Sequence, residues 1–237
     1  MIVVTNPSNP TGAVCSKELL DEISQICLDN NVWLVLDETY EYFMFDDATH
    51  YSPRGDHILH LYSFSKAFGL AGWRVGYIAY PKSNQTLELS LGKYQDTVPI
   101  CCSSASQRMA LECLRADGIE KVYTTKMINT LKANRDLVWD AMSLLPDKVK
   151  SKGAIYMWGR FPNFSQQTRE QVTAEQEWKV IEWLIKKHHI AVLPGSCFGE
   201  PGSFRVSFSN LNQQDCEKAA ASLKKGLEEL ASGTANF

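Results

Sequence analysis

Three short apolar runs each lead into polar residues, and a helical stretch separates the first two. Ile2-Val3-Val4 runs into Asn6-Pro7-Ser8-Asn9-Pro10-Thr11-Gly12, Trp33-Leu34-Val35-Leu36 ends on Asp37, and Ile58-Leu59-His60-Leu61-Tyr62 ends on Ser63. Near-continuous apolar runs of this length read as strands buried on both faces, and strands alternating with a helix predict an α/β sheet. Ligands bind such sheets at the C-terminal ends of the strands. The polar residues that fall just past those ends are Asn9, Asp37, Ser63 and Lys66. A further apolar run, 74–80, supplies another strand.

The connecting segments fit that reading. Residues 16–30 predict a helix capped by Ser16, with Leu19, Ile23, Ile26 and Cys27 on one face. A long helical stretch over 103–145 breaks near Asp117-Gly118 and ends at Pro146. Beyond it the pattern changes to strands at 154–158, 190–195 and 204–208. Among them are helices at 175–189 (Trp178, Ile181, Leu184 and His188 on one side) and 212–230 (Cys216, Ala219, Leu223, Leu227 and Leu230 inward). This predicts a smaller α+β domain over 129–237, including the connecting helix, after a first domain over 1–128. The tail 232–237 reads as frayed.

Composition narrows the function classes. The 24 Lys plus Arg nearly balance 27 Asp plus Glu, without the basic excess that nucleic-acid binding needs. No apolar run approaches a membrane span, and the first residues lack the basic n-region of a secretory signal. The seven cysteines are odd in number and form no Cys-x-x-Cys pair. They suggest neither a disulfide framework nor a zinc site, and favour a reducing compartment. The five histidines show no metal spacing, so no metal is expected.

Several residues carry candidate chemistry. Lys66 stands just past a strand, among small residues and hydroxyls, with Arg74 eight residues on. Such a lysine can lose its proton and form a Schiff base; a lone loop lysine is otherwise merely solvated. Asp37 at a strand end reads as a turn former or as a functional carboxylate, and Asn9 before Pro10 as a turn residue or a ligand. Arg205 sits in an alternating apolar strand. A buried guanidinium needs an anion, either an internal carboxylate or that of a ligand.

Taken together, these residues resemble the class I/II (fold type I) aminotransferases, which are pyridoxal-phosphate enzymes. The resemblance is carried by Asn6-Pro7-Ser8-Asn9-Pro10-Thr11-Gly12, by Asp37-Glu38-Thr39-Tyr40, by Ser63-Phe64-Ser65-Lys66 with Gly69, Gly72, Arg74 and Gly76, and by Phe204-Arg205-Val206. Tyr40-Glu41-Tyr42-Phe43-Met44, Gly55-Asp56-His57-Ile58 and Gly153-Ala154-Ile155-Tyr156 are similar, more narrowly, to plant-type aromatic-amino-acid and methionine aminotransferases.

The resemblance implies the C-terminal part of that fold. Residues 1–128 would be the C-terminal half of the cofactor-binding large domain, with a mixed, mostly parallel sheet, and 129–237 the small domain. Lys66 would hold pyridoxal 5'-phosphate as a Schiff base and shuttle the substrate proton. Asp37 would pair with the pyridine nitrogen, and Asn9 and Tyr40 would bond the ring hydroxyl oxygen. Ser63, Ser65 and Arg74 would hold the phosphate. Arg205, with Asn9, would bind the substrate carboxylate. The implied reaction is transamination between an L-amino acid, aromatic or methionine favoured, and a 2-oxo acid. A homodimer in the complete form and a cytoplasmic location go with it, and neither nucleic acid nor membrane is a partner.

Three further expectations belong to this reading. A pyridoxal-phosphate carbon–sulfur lyase or a cyclopropane-forming synthase would use the same Lys66, Asp37 and Arg205. The N-terminal part of the family pattern, with its glycine-rich phosphate loop and stacking aromatic residue, has no match here. The chain therefore reads as an incomplete form, or a non-catalytic remnant, that should fail as an independent transaminase. Tyr42, Phe43, Met44 and Phe198 are either core or a lining for bulky side chains.

Overall fold

The computed structural model describes residues 1–115 and 119–237, the side chains of 119–124 excepted. The chain divides into two compact units, Met1–Ser8 with Val14–Lys126, and Asn9–Ala13 with Met127–Phe237. The division falls inside one helix.

The first unit is built on a four-stranded sheet. Its strands are β1 (Ile2–Thr5), β2 (Leu34–Asp37), β3 (Ile58–Ser63) and β4 (Gly76–Ala79), in that spatial order. The first three are parallel and β4 runs antiparallel to β3. Only β2, in the middle, reaches the burial that the apolar runs predict. β1 and β4 are the edges of this sheet, and Val3 and Ile78 are exposed. Helix α1 (Lys17–Asp29) has the predicted cap, with the Ser16 hydroxyl accepting from the Leu19 amide. It packs Leu20 and Cys27 into the core with Leu34, Leu36 and Ile58, while Leu19 and Ile26 stay exposed. The inward face is thus turned by one residue from the apolar spacing.

Helices α2 (Gln85–Thr97) and α3 (Ser104–Arg115) follow. α2 buries none of its residues, although Leu87, Leu91 and Tyr94 recur at helical spacing. α4 (Ile119–Ala141) begins in the first unit and ends in the second. The expected break at Asp117-Gly118 lies outside the described residues.

The second unit carries an antiparallel sheet. Strands β5 (Lys148–Val149), β6 (Tyr156–Arg160), β7 (Leu193–Pro194) and β8 (Ser203–Ser207) lie in the order β5-β6-β8-β7. α5 (Ala174–His188) opens with a capping box between Thr173 and Gln176. It buries Val180, Ile181, Trp183, Leu184 and His188, whereas Trp178 faces solvent. α6 (Gln213–Ser232) is capped by Asn212 and ends at Gly233 with φ 71°. The tail is tied down. The Thr234 and Ala235 amides donate to the Glu229 carbonyl, and the Phe237 ring meets Trp183 edge-on at 5.7 Å.

No helix among the described residues is long and apolar enough to cross a membrane, and no His, Cys, Asp and Glu side chains gather as a metal group. All seven cysteines are free.

Gly12 shows how residues 9–13 join the second unit. Its carbonyl accepts from the Lys152 and Gly153 amides, and its φ is 71°. A Cβ there would stand 2.6 Å from both the Ser151 hydroxyl and the Tyr156 carbonyl. Gly12→Ala is therefore expected to cost about 2–4 kcal/mol, from left-handed strain plus overpacking. Urea unfolding of the variant against the parent chain checks this.

Candidate active site

The candidate residues fall into two clusters, one in each unit. In the first unit the sheet geometry aligns them. Asp37 and Ser63 are the last residues of neighbouring parallel strands, so both lie at the same sheet edge. β4 starts at that edge, because Gly76 pairs with Ser63. Arg74, two residues before Gly76, is thereby returned to it. A short 3-10 turn, Ala71–Trp73, ends on Arg74 in the left-handed region with φ 52°.

The donors and acceptors at this edge are partly committed. Asp37 Oδ1 accepts from the Thr39 amide at 3.1 Å and its hydroxyl at 2.6 Å. Oδ2 has no hydrogen-bond partner among the described residues, and the carboxylate is half-buried. The Ser63 hydroxyl oxygen accepts from the Ser65 amide at 3.1 Å, which leaves its own O–H to donate. Arg74 spends Nη1 on the Ala71 carbonyl at 2.9 Å, and its other guanidinium groups face solvent. The half-buried Lys66 side chain makes no hydrogen bond or ion pair among the described residues. Tyr40 is buried in the turn after β2, its ring 6.1 Å from that of Phe43.

Strand alternation hides a second group behind this edge. Glu38 continues the ladder by donating its amide to the Leu61 carbonyl, and its side chain points opposite to that of Asp37. It lies on the face of His60 and Tyr62. The Ser52 hydroxyl donates to Glu38 Oε1, with His60 Nδ1 at 3.4 Å and His50 Nε2 at 3.9 Å. Burial works to raise the Glu38 pKa, but hydrogen bonds from His60, Ser52 and Tyr62 outweigh it and hold the carboxyl below its ordinary range. Burial, helped by Glu38, pushes the Tyr62 phenol up. Burial pushes the His50 imidazole down, against the pull of Glu38. Sequence reasoning passed over this group. Its one signal was the carboxylate directly after Asp37.

In the second unit Arg205 lies in β8, half-buried. Its guanidinium carbon stands 4.0 Å from the Tyr156 ring centre and 5.1 Å from that of Phe198. Nη1 donates to Asn9 Oδ1 at 2.7 Å, joining two residues 196 positions apart. Nε is buried without a hydrogen-bond partner, and the side chain forms no ion pair among the described residues. No internal carboxylate among the described residues answers this guanidinium. Phe43 is buried as core, Tyr42 packs edge-on against Phe68, and Phe198 meets Trp158 edge-on at 5.7 Å.

The profile of the family described as aminotransferase class I and II matches residues 1–223. The chain belongs to that family, whose members depend on pyridoxal phosphate, and its structure covers part of the fold type I aminotransferase fold. It is 40% identical to aromatic aminotransferase ISS1 of Arabidopsis thaliana over 232 residues, 97% of this chain and 56% of that protein. It is 33% identical to the probable aspartate/prephenate aminotransferase of Aquifex aeolicus, over 97% of this chain and 57% of that one. The crystal structure of an aromatic aminotransferase from Pyrococcus horikoshii superposes with TM-score 0.83 at 30% identity, covering 96% of this chain and 59% of that one. The chain thus spans a little over half the length of these relatives.

The His50 and Glu38 shifts have the same sign for stability. Both folded values lie below the ordinary ones, 6.5 for His50 and 4.5 for Glu38, so the unfolded chain binds more protons as pH falls. Stability present at neutral pH should decline from about pH 7 downward through His50, and further below about pH 4.5 through Glu38. His188 in the second unit is also pushed down by burial, so His50→Gln isolates the first unit's share. Its urea midpoint should fall less than the parent's between about pH 7.5 and pH 5.

Proposed function

We propose that this chain supplies the catalytic lysine and the carboxylate-binding arginine of a pyridoxal-phosphate-dependent transaminase. The observation that carries the reading is Arg205, a half-buried guanidinium held between two rings that finds Asn9 but no carboxylate among the described residues. A planar fork in that setting suits the α-carboxylate of an amino acid. The substrates would be an L-amino acid, with aromatic residues or methionine favoured, and a 2-oxo acid. The similarity to an aromatic aminotransferase supports that choice, as do the Phe198 and Trp158 rings beside Arg205. A homodimeric complete form follows from the family resemblance, and a cytoplasmic location suits seven free cysteines.

The first unit's residues fit the cofactor. The unengaged Oδ2 of Asp37 can accept the pyridine N–H and hold that proton in place. The Ser63 hydroxyl, Ser65 and the open guanidinium groups of Arg74 can donate to the phosphate, and Tyr40 to the ring oxygen. When bound, pyridoxal phosphate supplies an electron sink for charge developing at the substrate Cα. The Lys66 amine can hold the aldehyde carbon and, once displaced, take the Cα proton and return it on the other side of the exchange. Arg205 and Asn9 orient the substrate by its carboxylate.

Two outcomes test these roles. After incubation with pyridoxal phosphate and borohydride, mass spectrometry should find the tag on the Lys66 peptide, and Lys66→Ala should lose it. A tag spread evenly over surface lysines would sink the assignment. In a full-length form, Arg205→Lys should weaken amino-acid binding about 10- to 100-fold, the size of a lost charge-assisted hydrogen bond, with a smaller effect on kcat. Unchanged KM would remove Arg205 from the site.

A further inference from the structure

We propose that Glu177, wholly buried in α5, is a positioning residue for Arg205, acting through the loop that carries Phe198. The inference rests on the reading of Arg205 as a carboxylate binder. A buried carboxylate is costly unless its oxygens are satisfied. Glu177 has no cation partner among the described residues, and backbone amides satisfy it instead. The Ser196 amide lies 3.3 and 3.1 Å from its two oxygens, and the Gly202 amide donates to Oε1 at 2.8 Å. Both donors are N–H groups, so an acceptor-only side chain is required.

These two donors bracket the loop 196–202, so one carboxylate pins both of its ends. The loop has little room to adapt. A Cβ on Gly195 would come within 2.1 Å of the Glu200 carbonyl, and Gly199 and Gly202 have φ of 79° and 87°. Between the pinned ends stands Phe198, edge-on to Trp158 and 5.1 Å from the Arg205 guanidinium. Tyr156, whose ring centre is 4.0 Å from the guanidinium carbon, is fixed in β6. One of the two rings at the guanidinium is therefore set by the sheet and the other by Glu177. If the loop slackens, Phe198 withdraws and Arg205 regains water and rotamer freedom. Its affinity for a carboxylate then falls, because the ordering is no longer made in advance.

The test follows the Arg205 Nε–H resonance in the full chain, labelled with nitrogen-15 and identified by its loss in Arg205→Lys, during titration with 3-phenylpropionate. Glu177→Gln keeps the side-chain size but turns a donor toward the two amides. With a dispersed, folded spectrum it should bind about tenfold more weakly than the parent. Phe198→Ala should weaken binding to a similar extent. The double variant should be no weaker than the worse single variant, because both changes remove one interaction. A merely structural Glu177 would lower stability without this coupling. Parent-like affinity in folded Glu177→Gln, or losses that multiply in the double variant, overturns the inference while leaving the Arg205 reading intact. Should Glu177→Gln not fold, Glu177→Asp keeps the charge, falls a methylene short and carries the same expectation. Unchanged binding in Phe198→Ala overturns the inference by itself. A parent chain whose Arg205 resonance ignores carboxylates removes the Arg205 reading first.

Discussion

Parallel hydrogen bonding between β2 and β3 is the constraint on which the first unit's chemistry depends. It pairs Asp37 with Leu61 and so brings the last residue of one strand level with the end of the next. The antiparallel return of β4 then lays Arg74 beside the same edge. Residues far apart in the chain thus come to one end of the sheet without any of them having to attract another. The period of two along each strand does the remaining sorting. Asp37 and Ser63 take one face, while Glu38, His60 and Tyr62 take the other, where a carboxylate can be buried among donors.

The second unit handles charge differently. Arg205 meets two rings and one amide oxygen, and no carboxylate among the described residues pairs with it. Glu177 is the complement, a carboxylate whose hydrogen-bond partners among the described residues are backbone amides, which spends its acceptors on loop shape. Tying residues 9–13 to this unit through the Gly12 carbonyl puts Asn9 within reach of Arg205.

Much of this was legible from the chain alone, for local reasons. Apolar runs located β1, β2 and β3, although only β2 is as buried as its run suggests. The cap residue Ser16 marks a helix start, because an exposed amide needs an acceptor whatever the tertiary context. Asn9, Asp37, Ser63, Lys66, Arg74 and Arg205 were nameable because each stands out chemically against its own strand or turn. Helix α2 was not read from the sequence, although Leu87, Leu91 and Tyr94 recur at helical spacing along it. On α5 the stripe of Ile181, Leu184 and His188 is buried as read while Trp178 faces solvent, and on α1 Cys27 is buried but Leu19 and Ile26 are not. Spacing says that a stripe exists, whereas the neighbouring elements select which turn of it they cover.

Residue types and their order along the chain thus carried the strand ends, the caps and the family pattern, because these are properties of short segments. Pairings across long separations were decided by packing. Asn9 reaching Arg205, Glu177 gripping the 196–202 loop, and Glu38 meeting Ser52 and His60 are all of this kind. No local signal encodes these pairings, even where a partner such as Asn9 or Arg205 stands out by itself. Their meeting follows from sheet order, strand register and helix docking, which exist only once the chain has folded.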